Sequence, residues 1–293
     1  MSLRAGSRII NMDAKAIETD ESGYPARLLA LAEPPSPLWI RGAWTPARRA
    51  VALVGARAAS ERGMNGAREL GARLASAGVD VISGGATGID SASHRGALDE
   101  SDRSGAGRTV AVLGTGIDVA YPEKNAGLFD EIVASGGALV TQFAPGAQPR
   151  KLSFPTRNAV IAGLADLVVV VEAQPASGTT HTVRAMHWLG RPVAAVPGSH
   201  GTDALILAGG AIAVVDADDV LAVLDGRRPA PPALPDDPLA QKIYAALDDV
   251  PRDVGELAFR AGLSVGTCAA MVVDLELGGL AARAAGGRYL RLR

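Results

Sequence analysis

Short runs of aliphatic and β-branched residues recur along this chain, and helix-spaced apolar residues follow most of them. Val51-Ala52-Leu53-Val54 reads as a buried strand, and Met64, Ala67, Leu70, Leu74 and Ala75 return after it at helical intervals. Val79 to Ile82 reads as the next strand and Ile89 to about Leu98 as a helix. Val110 to Leu113 is a third strand, and Pro122 suits the first turn of another helix. Ala138 to Val140 is a short strand, Asn158 to Leu164 a helix, Leu167 to Val171 a central strand, and Thr179 to Leu189 a helix stopped by Gly190 and Pro192. Three further apolar segments, Val193 to Val196, Ala204 to Leu207 and Val220 to Leu224, complete the set. Strands apolar throughout and separated by helices are buried on both faces, which is the pattern of a parallel sheet covered by helices.

Composition agrees. Of 293 residues 48% are hydrophobic but only 4% aromatic, which favours close helix-on-sheet packing over an aromatic sandwich. Residues 1–46 carry Pro25, Pro34, Pro35, Pro37 and Pro46 and read as an irregular strap over the core. Residues 47–226 form the sheet domain. Residues 227–237, with Arg227-Arg228-Pro229 and Pro231-Pro232, read as a stiff linker. Residues 238–293 hold three helix patterns: Leu239, Ile243 and Leu247, then Val254, Leu257 and Ala258, then Cys268, Met271, Val272 and Leu275 behind the N-cap candidate Ser264. Leu280 to Arg283 and Tyr289 to Leu292 flank Gly286-Gly287 as a hairpin, so this module reads as a small winged helix-turn-helix.

Several function classes drop out. Cys268 is the single cysteine, which excludes an intramolecular disulfide and a cysteine-rich zinc site. The N-terminus, with Arg4, Arg8, Asp13, Lys15 and Glu18, lacks the apolar run of a signal peptide, and Leu167 to Val171 is far too short to span a bilayer. A cytoplasmic setting without membrane contact is the expectation. The net charge of −2 gives no global field for nucleic acid, so binding of a polyanion requires a local patch.

Such a patch is visible. Between Glu131 and Asp166 there is no acidic residue, yet Arg150, Lys151 and Arg157 lie there. Gly55 ends a strand, Arg57 follows in the loop, and Ser60 is placed to cap the next helix, so backbone N–H groups and a helix dipole are offered to an anion. Ser83-Gly84-Gly85-Ala86-Thr87-Gly88 makes a second such turn, with Asp90 orienting it and His94 one helical turn further on. Ser177-Gly178 opens a third helix. None of these is G-x-G-x-x-G or a Walker A loop, so dinucleotide and nucleoside triphosphate binding are unsupported and no cofactor is expected. Phe154 stands with Arg157 and Asn158 as either a stacking platform for bases or a core anchor. Glu172 ends a strand without a second acid or base at a telling spacing.

In order and spacing these segments resemble the DNA-processing protein A (DprA/Smf) family from about Tyr24-Pro25 onward. The carriers are Val54-Gly55-Ala56-Arg57 with Ser60, Ser83-Gly84 through Asp90, His94, Leu113-Gly114, Tyr121-Pro122, Phe154-Pro155, Arg157-Asn158, Val171-Glu172-Ala173, Ser177-Gly178 and Pro197-Gly198. The resemblance implies an extended Rossmann-like domain that binds single-stranded DNA without catalysis, delivers the recombinase RecA to it in natural transformation, and forms homodimers. It implies a DNA pocket of Arg57, Phe154, Arg157 and Asn158 with the backbone of Gly55, Gly84 and Ser177-Gly178; Ser60, Gly85, Arg150 and Lys151 join them as candidates. The chain departs from the pattern at Gln142, where an acid is expected, at Ala159, where a second arginine is usual, and at Asp203, where asparagine is usual.

Two other readings compete. A nucleotide phosphoribohydrolase of a related Rossmann-like group shows P-G-G-x-G-T-x-x-E, but the comparable Pro175 to Thr182 segment has no glutamate. A regulatory duplex-binding protein would use its winged helix. Here the third helix, Ser264 to Leu277, carries no Lys or Arg and includes Asp274 and Glu276, so the module reads as a protein contact, with Arg283, Arg288, Arg291 and Arg293 on the wing keeping DNA open.

Overall fold

In a computed structural model, which describes residues 8–9, 13–103, 105–175, 177–230, 234–248 and 250–292, the apolar runs become strands shielded on both faces. The remainder of the lead-in, Pro231, Pro232 and Ala233 of the linker, and Arg293 of the wing lie outside the described residues. By contacts the chain divides into residues 1–171 with 176–193, and residues 172–175 with 194–293.

The first unit begins with β1 (Arg8–Ile9), β2 (Ala14–Ile17), β3 (Leu38–Gly42), β4 (Ala50–Gly55) and α1 (Glu61–Ser76). It continues with β5 (Asp80–Ser83), α2 (Ile89–Asp99), β6 (Thr109–Val112), β7 (Val119–Ala120), α3 (Ala126–Ala134), β8 (Ala138–Thr141), α4 (Ser153–Leu164), β9 (Leu167–Glu172) and α5 (Thr179–Trp188). Its sheet runs in the order β9-β4-β5-β6-β8-β3-β2. Strands β4, β5, β6 and β8 are parallel, as their unbroken apolar character requires. Val51, Leu53, Val81, Ile82, Val110 and Leu139 are wholly buried. The abundance of glycine has a local use: an added Cβ on Gly96 would fall 1.8 Å from the Arg68 carbonyl oxygen, so α1 and α2 pack at a distance only glycine permits.

The lead-in is less irregular than its prolines suggest. Its strands β3 and β2 join β8 antiparallel, Trp39 opposite Thr141 and Lys15 opposite Ile40. Leu38 and Ile40 are buried, and the prolines fall outside the strands, Pro34, Pro35 and Pro37 just before β3 and Pro46 after it, where no ladder hydrogen bond is lost. Arg27 clamps the segment by pairing with Asp166 at 2.8 Å.

The second unit holds β10 (Val193–Ala195) from Ala194 onward, α6 (His200–Leu207), β11 (Ile212–Ala213) and α7 (Ala217–Leu224). The apolar segments at Ala204 and Val220 are thus helical, each started by a capped residue, Ser199 with Thr202 and Asp216 with Asp219. Then follow α8 (Pro238–Ala246), α9 (Val254–Ala261), α10 (Val265–Leu277), β12 (Ala281–Ala284) and β13 (Arg288–Arg291). Ser264 caps α10 as expected, accepting from Thr267 N–H at 3.1 Å. The wing is antiparallel with Arg283 opposite Tyr289, and Gly286 and Gly287 take positive φ at its tip. Ile243, Leu257, Cys268, Val272 and Leu275 form this module's core. Gly279, at φ +71°, leaves room beside Val215, whose Cγ1 would be 2.7 Å from an added Cβ.

Candidate nucleic-acid interface

The carboxyl ends of β4, β5 and β6 converge with the starts of α1, α2 and α4. In open α/β sheets this edge is where helix N-termini and loops gather to receive a ligand. Gly55 ends β4, and Ser60 caps α1 by accepting from Gly63 N–H at 3.0 Å. The turn after β5 is laced to this loop. Ile89 N–H donates to the Ala56 carbonyl at 3.1 Å, and the Thr87 hydroxyl donates to the Arg57 carbonyl at 2.9 Å. A Cβ on Gly88 would lie 2.3 Å from the Ala56 oxygen, so a glycine at φ +74° is required there.

Phe154 does not lie in a loop. Helix α4 begins at Ser153, five residues before the start expected from apolar spacing, because Pro155 in the first turn gives up an N–H that has no intrahelical partner. The half-buried Phe154 ring packs over Gly114, where an added Cβ would be 2.8 Å from Cδ1. Its other neighbours are the exposed Arg57, whose Cζ stands 5.0 Å from the ring centroid, and Tyr121, whose ring centroid is 5.7 Å away at a 39° tilt. Phe154 is therefore neither a core residue nor a lone exposed ring. It is the middle of a cation–aromatic–aromatic cluster.

Arg157 departs from expectation. Its side chain is turned inward and the residue is only 5% exposed. The guanidinium donates to the carbonyls of Gly84 and Val112 and, through Nε, to Asn158 Oδ1 at 3.1 Å. Arg157 shares a face of α4 with the buried Val160, Ile161 and Leu164, so it braces the strand ends instead of presenting an open cation. Burial lowers its pKa to about 10, with Arg57 adding to the effect and Asp90 opposing it. Asp90, itself buried, accepts from Ala86 N–H at 3.2 Å, and burial raises its carboxyl above the usual range against the pull of Arg157. A Cβ on Gly84 would lie 2.6 Å from both Arg157 Nη1 and Asp90 Oδ2, so this glycine leaves room for both buried side chains. His94 does not pair with Asp90. It is fully buried with Nδ1 2.7 Å from the Thr109 hydroxyl and Nε2 without a partner, and burial, then Arg157, lowers its pKa to about 3. It is a neutral structural histidine.

Asn158 reaches the Ser177-Gly178 turn, donating to the Gly178 carbonyl at 3.1 Å. Ser177 Oγ lies 2.6 Å from Thr179 Oγ1 at the start of α5. Gly84 and Gly85 are buried, while Arg150 and Lys151 are exposed in the turn leading into α4. Residues that sequence reasoning left out of the site are Tyr121 and Asn125. Asn125 Nδ2 donates to the carbonyls of Gly85 and Ala86 at 2.9 and 3.2 Å and so shapes the glycine turn. Tyr121 is visible in the sequence only as part of the Tyr121-Pro122 motif, and Asn125 carries no sequence signal. Among the departures, Asp203 accepts from Gly198 N–H at 2.8 Å and holds that turn, while Gln142 and Ala159 are half-buried. No group of His, Cys, Asp or Glu suited to a metal ion occurs among the described residues.

The family model for DNA recombination-mediator protein A matches residues 15–225, and that for the DprA winged helix domain matches residues 227–287. The chain belongs to the DprA/Smf family. It is 32% identical to Protein Smf of Escherichia coli over 100% of this chain and 85% of that protein. It is also 32% identical to the DNA processing protein DprA of Bacillus subtilis over 70% and 69% of the two chains. The X-ray structure of DprA from Streptococcus pneumoniae superposes with a TM-score of 0.62 at 33% identity, covering 72% of this chain and 74% of the other. DNA processing protein A from Helicobacter pylori shares the fold at a TM-score of 0.64 and 23% identity, over 73% and 96%. Membership fixes the fold class as an α/β Rossmann-like sheet with a C-terminal winged helix. Among the described residues no single helix is long and apolar enough to cross a membrane.

Proposed function

We propose that this DprA/Smf-family protein binds single-stranded DNA with little sequence preference and loads a RecA-type recombinase onto it, as a homodimer and without catalysis. The observation that carries the binding is the Arg57–Phe154–Tyr121 cluster beside the glycine turns at Gly55 and Gly84-Gly85. An exposed guanidinium against an aromatic ring next to helix N-termini supplies what a single strand needs: a phosphate contact, a π-face for a base and backbone donors. Arg150, Lys151, Ser177 and Gly178 extend the path. Ser60 and Arg157 shape it from within, and Asn158 ties two of its loops together. A family described as recombination mediators supports the reading.

Catalysis has little to work with. Asp90 and His94 are buried, and His94 is held neutral well below physiological pH. The segment after Gly178 lacks the glutamate of the related phosphoribohydrolases. Titration with a single-stranded oligonucleotide and its duplex, each at two salt concentrations, tests the proposal. Preference for the single strand with a clear salt slope is expected, and no release of base from nucleoside monophosphates. Duplex preference, or base release abolished by Glu172→Gln, would overturn it.

A further inference from the structure

Between Glu172 and Asp203 the chain has no acidic residue, yet it carries His181, Arg184, His187, Arg191 and His200. The Arg57–Phe154–Tyr121 cluster uses only the start of this stretch, Ser177 and Gly178. Helix α5 follows directly. Its Thr182, Val183 and Met186 are buried, and the helix packs along α4, which has no acid either. The face left to solvent carries His181, Arg184, His187 and Trp188. His181, Arg184 and Trp188 fall three and four residues apart, with His187 beside them, so they form one stripe along the helix. Tryptophan is highly buried on average, but Trp188 is 86% exposed and adds little to the core.

We propose that this face of α5 continues the path of a bound single strand, with the Trp188 indole stacking on a base and Arg184 contacting a phosphate. The inference rests on the single-strand reading of the Arg57–Phe154–Tyr121 cluster and extends that site by a second stacking platform. Continuity supports it. The stripe starts beside the Ser177-Gly178 turn, which Asn158, one helical turn beyond Phe154, holds by donating to the Gly178 carbonyl at 3.1 Å. Cluster, turn and stripe all belong to the first unit. At 1.5 Å per residue Trp188 lies about 15 Å along the helix from Gly178, so a strand seated on the cluster must run on past it to reach the indole. The chemistry is that of single-strand recognition: an aromatic platform beside a guanidinium, imidazole N–H donors next to both, and no carboxylate in the segment to repel phosphate. Duplex DNA cannot use the indole, because its bases are stacked on one another.

The test uses the full chain and two oligothymidines, of about 5 and about 20 nucleotides, the short one filling the cluster alone and the long one able to follow α5. Trp188→Ala is expected to bind the long oligonucleotide about tenfold more weakly than the parent and the short one equally well. Arg184→Ala should lower the logarithmic salt slope by about 0.7 on the long one only. Saturation with the long one should quench tryptophan fluorescence more in the parent than in Trp188→Phe, where Trp39 and Trp44 remain. Because Trp188 and Arg184 are exposed, the thermal midpoints should stay near the parent's. An equal loss on both lengths, or no change on either, overturns the proposal and leaves the cluster's role standing. So does a loss confined to anionic phospholipid vesicles, or a fall in sedimenting mass without DNA, since the face would then serve lipid or a second copy. Failure of the single-strand reading itself looks different: the parent then binds neither oligonucleotide, and this inference falls with it.

Discussion

The guanidinium of Arg57, in the loop after β4, lies 5.0 Å from the ring centroid of Phe154 in the first turn of α4, a ring that packs into the space left by Gly114. This pairing makes the two residues one unit toward a ligand. A base stacking on Phe154 and a phosphate paired with Arg57 share a single preformed surface.

Removing the ring should therefore weaken single-strand binding more than it unfolds the protein. Phe154→Ala is expected to cost about 1–3 kcal/mol of affinity, the usual worth of one stacked base. Phe154→Tyr should keep most of it. Oligonucleotide titration beside a melting curve separates the effects, and a fall in melting temperature with unchanged affinity would show that Phe154 is only a packing residue.

Arg57→Ala should weaken binding across all sequences and flatten the salt dependence, by about 0.7 in the logarithmic slope for one phosphate on a single strand. Arg57→Lys should retain the slope but lose the guanidinium contact with the Phe154 ring, giving an intermediate affinity. An unchanged slope in Arg57→Ala would place the phosphate contact elsewhere.

Arg157 behaves differently because it faces inward. Arg157→Met would leave the buried Gly84 and Val112 carbonyls without a donor and remove the positive charge near Asp90. Orphaning buried hydrogen-bond acceptors typically costs about 1–3 kcal/mol, so the variant should melt below the parent. Its DNA affinity, measured where it remains folded, should fall less than that of Arg57→Ala. The opposite ranking would mean that the guanidinium swings out to phosphate.

The contrast between these arginines shows what was legible in the sequence. The parallel sheet could be read because buried strands are apolar at every position, and the caps at Ser60 and Ser264 because their chemistry is local. Arg57 and Phe154 could be nominated from residue type and place. Their mutual contact could not, since it joins a loop to a helix start nearly a hundred residues further along the chain. Nor could the inward turn of Arg157, which lies on the face of α4 that also carries the buried Val160, Ile161 and Leu164. Asn125 was hidden for the same reason: its partners Gly85 and Ala86 lie 40 and 39 residues away. The strands of the lead-in were obscured by prolines that turned out to sit in the flanking turns.

His94 predicts a pH dependence. Its pKa is lowered from 6.5 to about 3 in the folded protein because the ring is buried beside Arg157. The unfolded chain therefore binds more protons between those values. The stability this group contributes is complete above pH 6.5 and is lost progressively as pH falls toward 3, on the order of a few kcal/mol. His94→Gln, which keeps a partner for the Thr109 hydroxyl, should flatten the fall in melting temperature between neutral pH and pH 4 relative to the parent. An unchanged acid slope would assign the loss to other groups.

A protein ending at Arg228 should keep its single-strand site. The cluster of Arg57, Phe154 and Tyr121 belongs wholly to the first unit, whereas α10 offers no cation and two of the wing arginines are engaged by tyrosines. A basic reading helix would have added phosphate contacts and steepened the salt dependence. The truncation should then change affinity for a short oligonucleotide by less than tenfold, about 1.4 kcal/mol, with the same salt slope. The cut also removes Tyr289 and Leu290, which are buried, so the comparison holds only where circular dichroism shows the remaining sheet intact. A second measure protects the argument: Arg288→Ala in the full chain should leave both affinity and slope unchanged. If that single wing substitution lowers the slope by about 0.7, the winged helix touches a phosphate directly and DNA binding extends beyond the sheet.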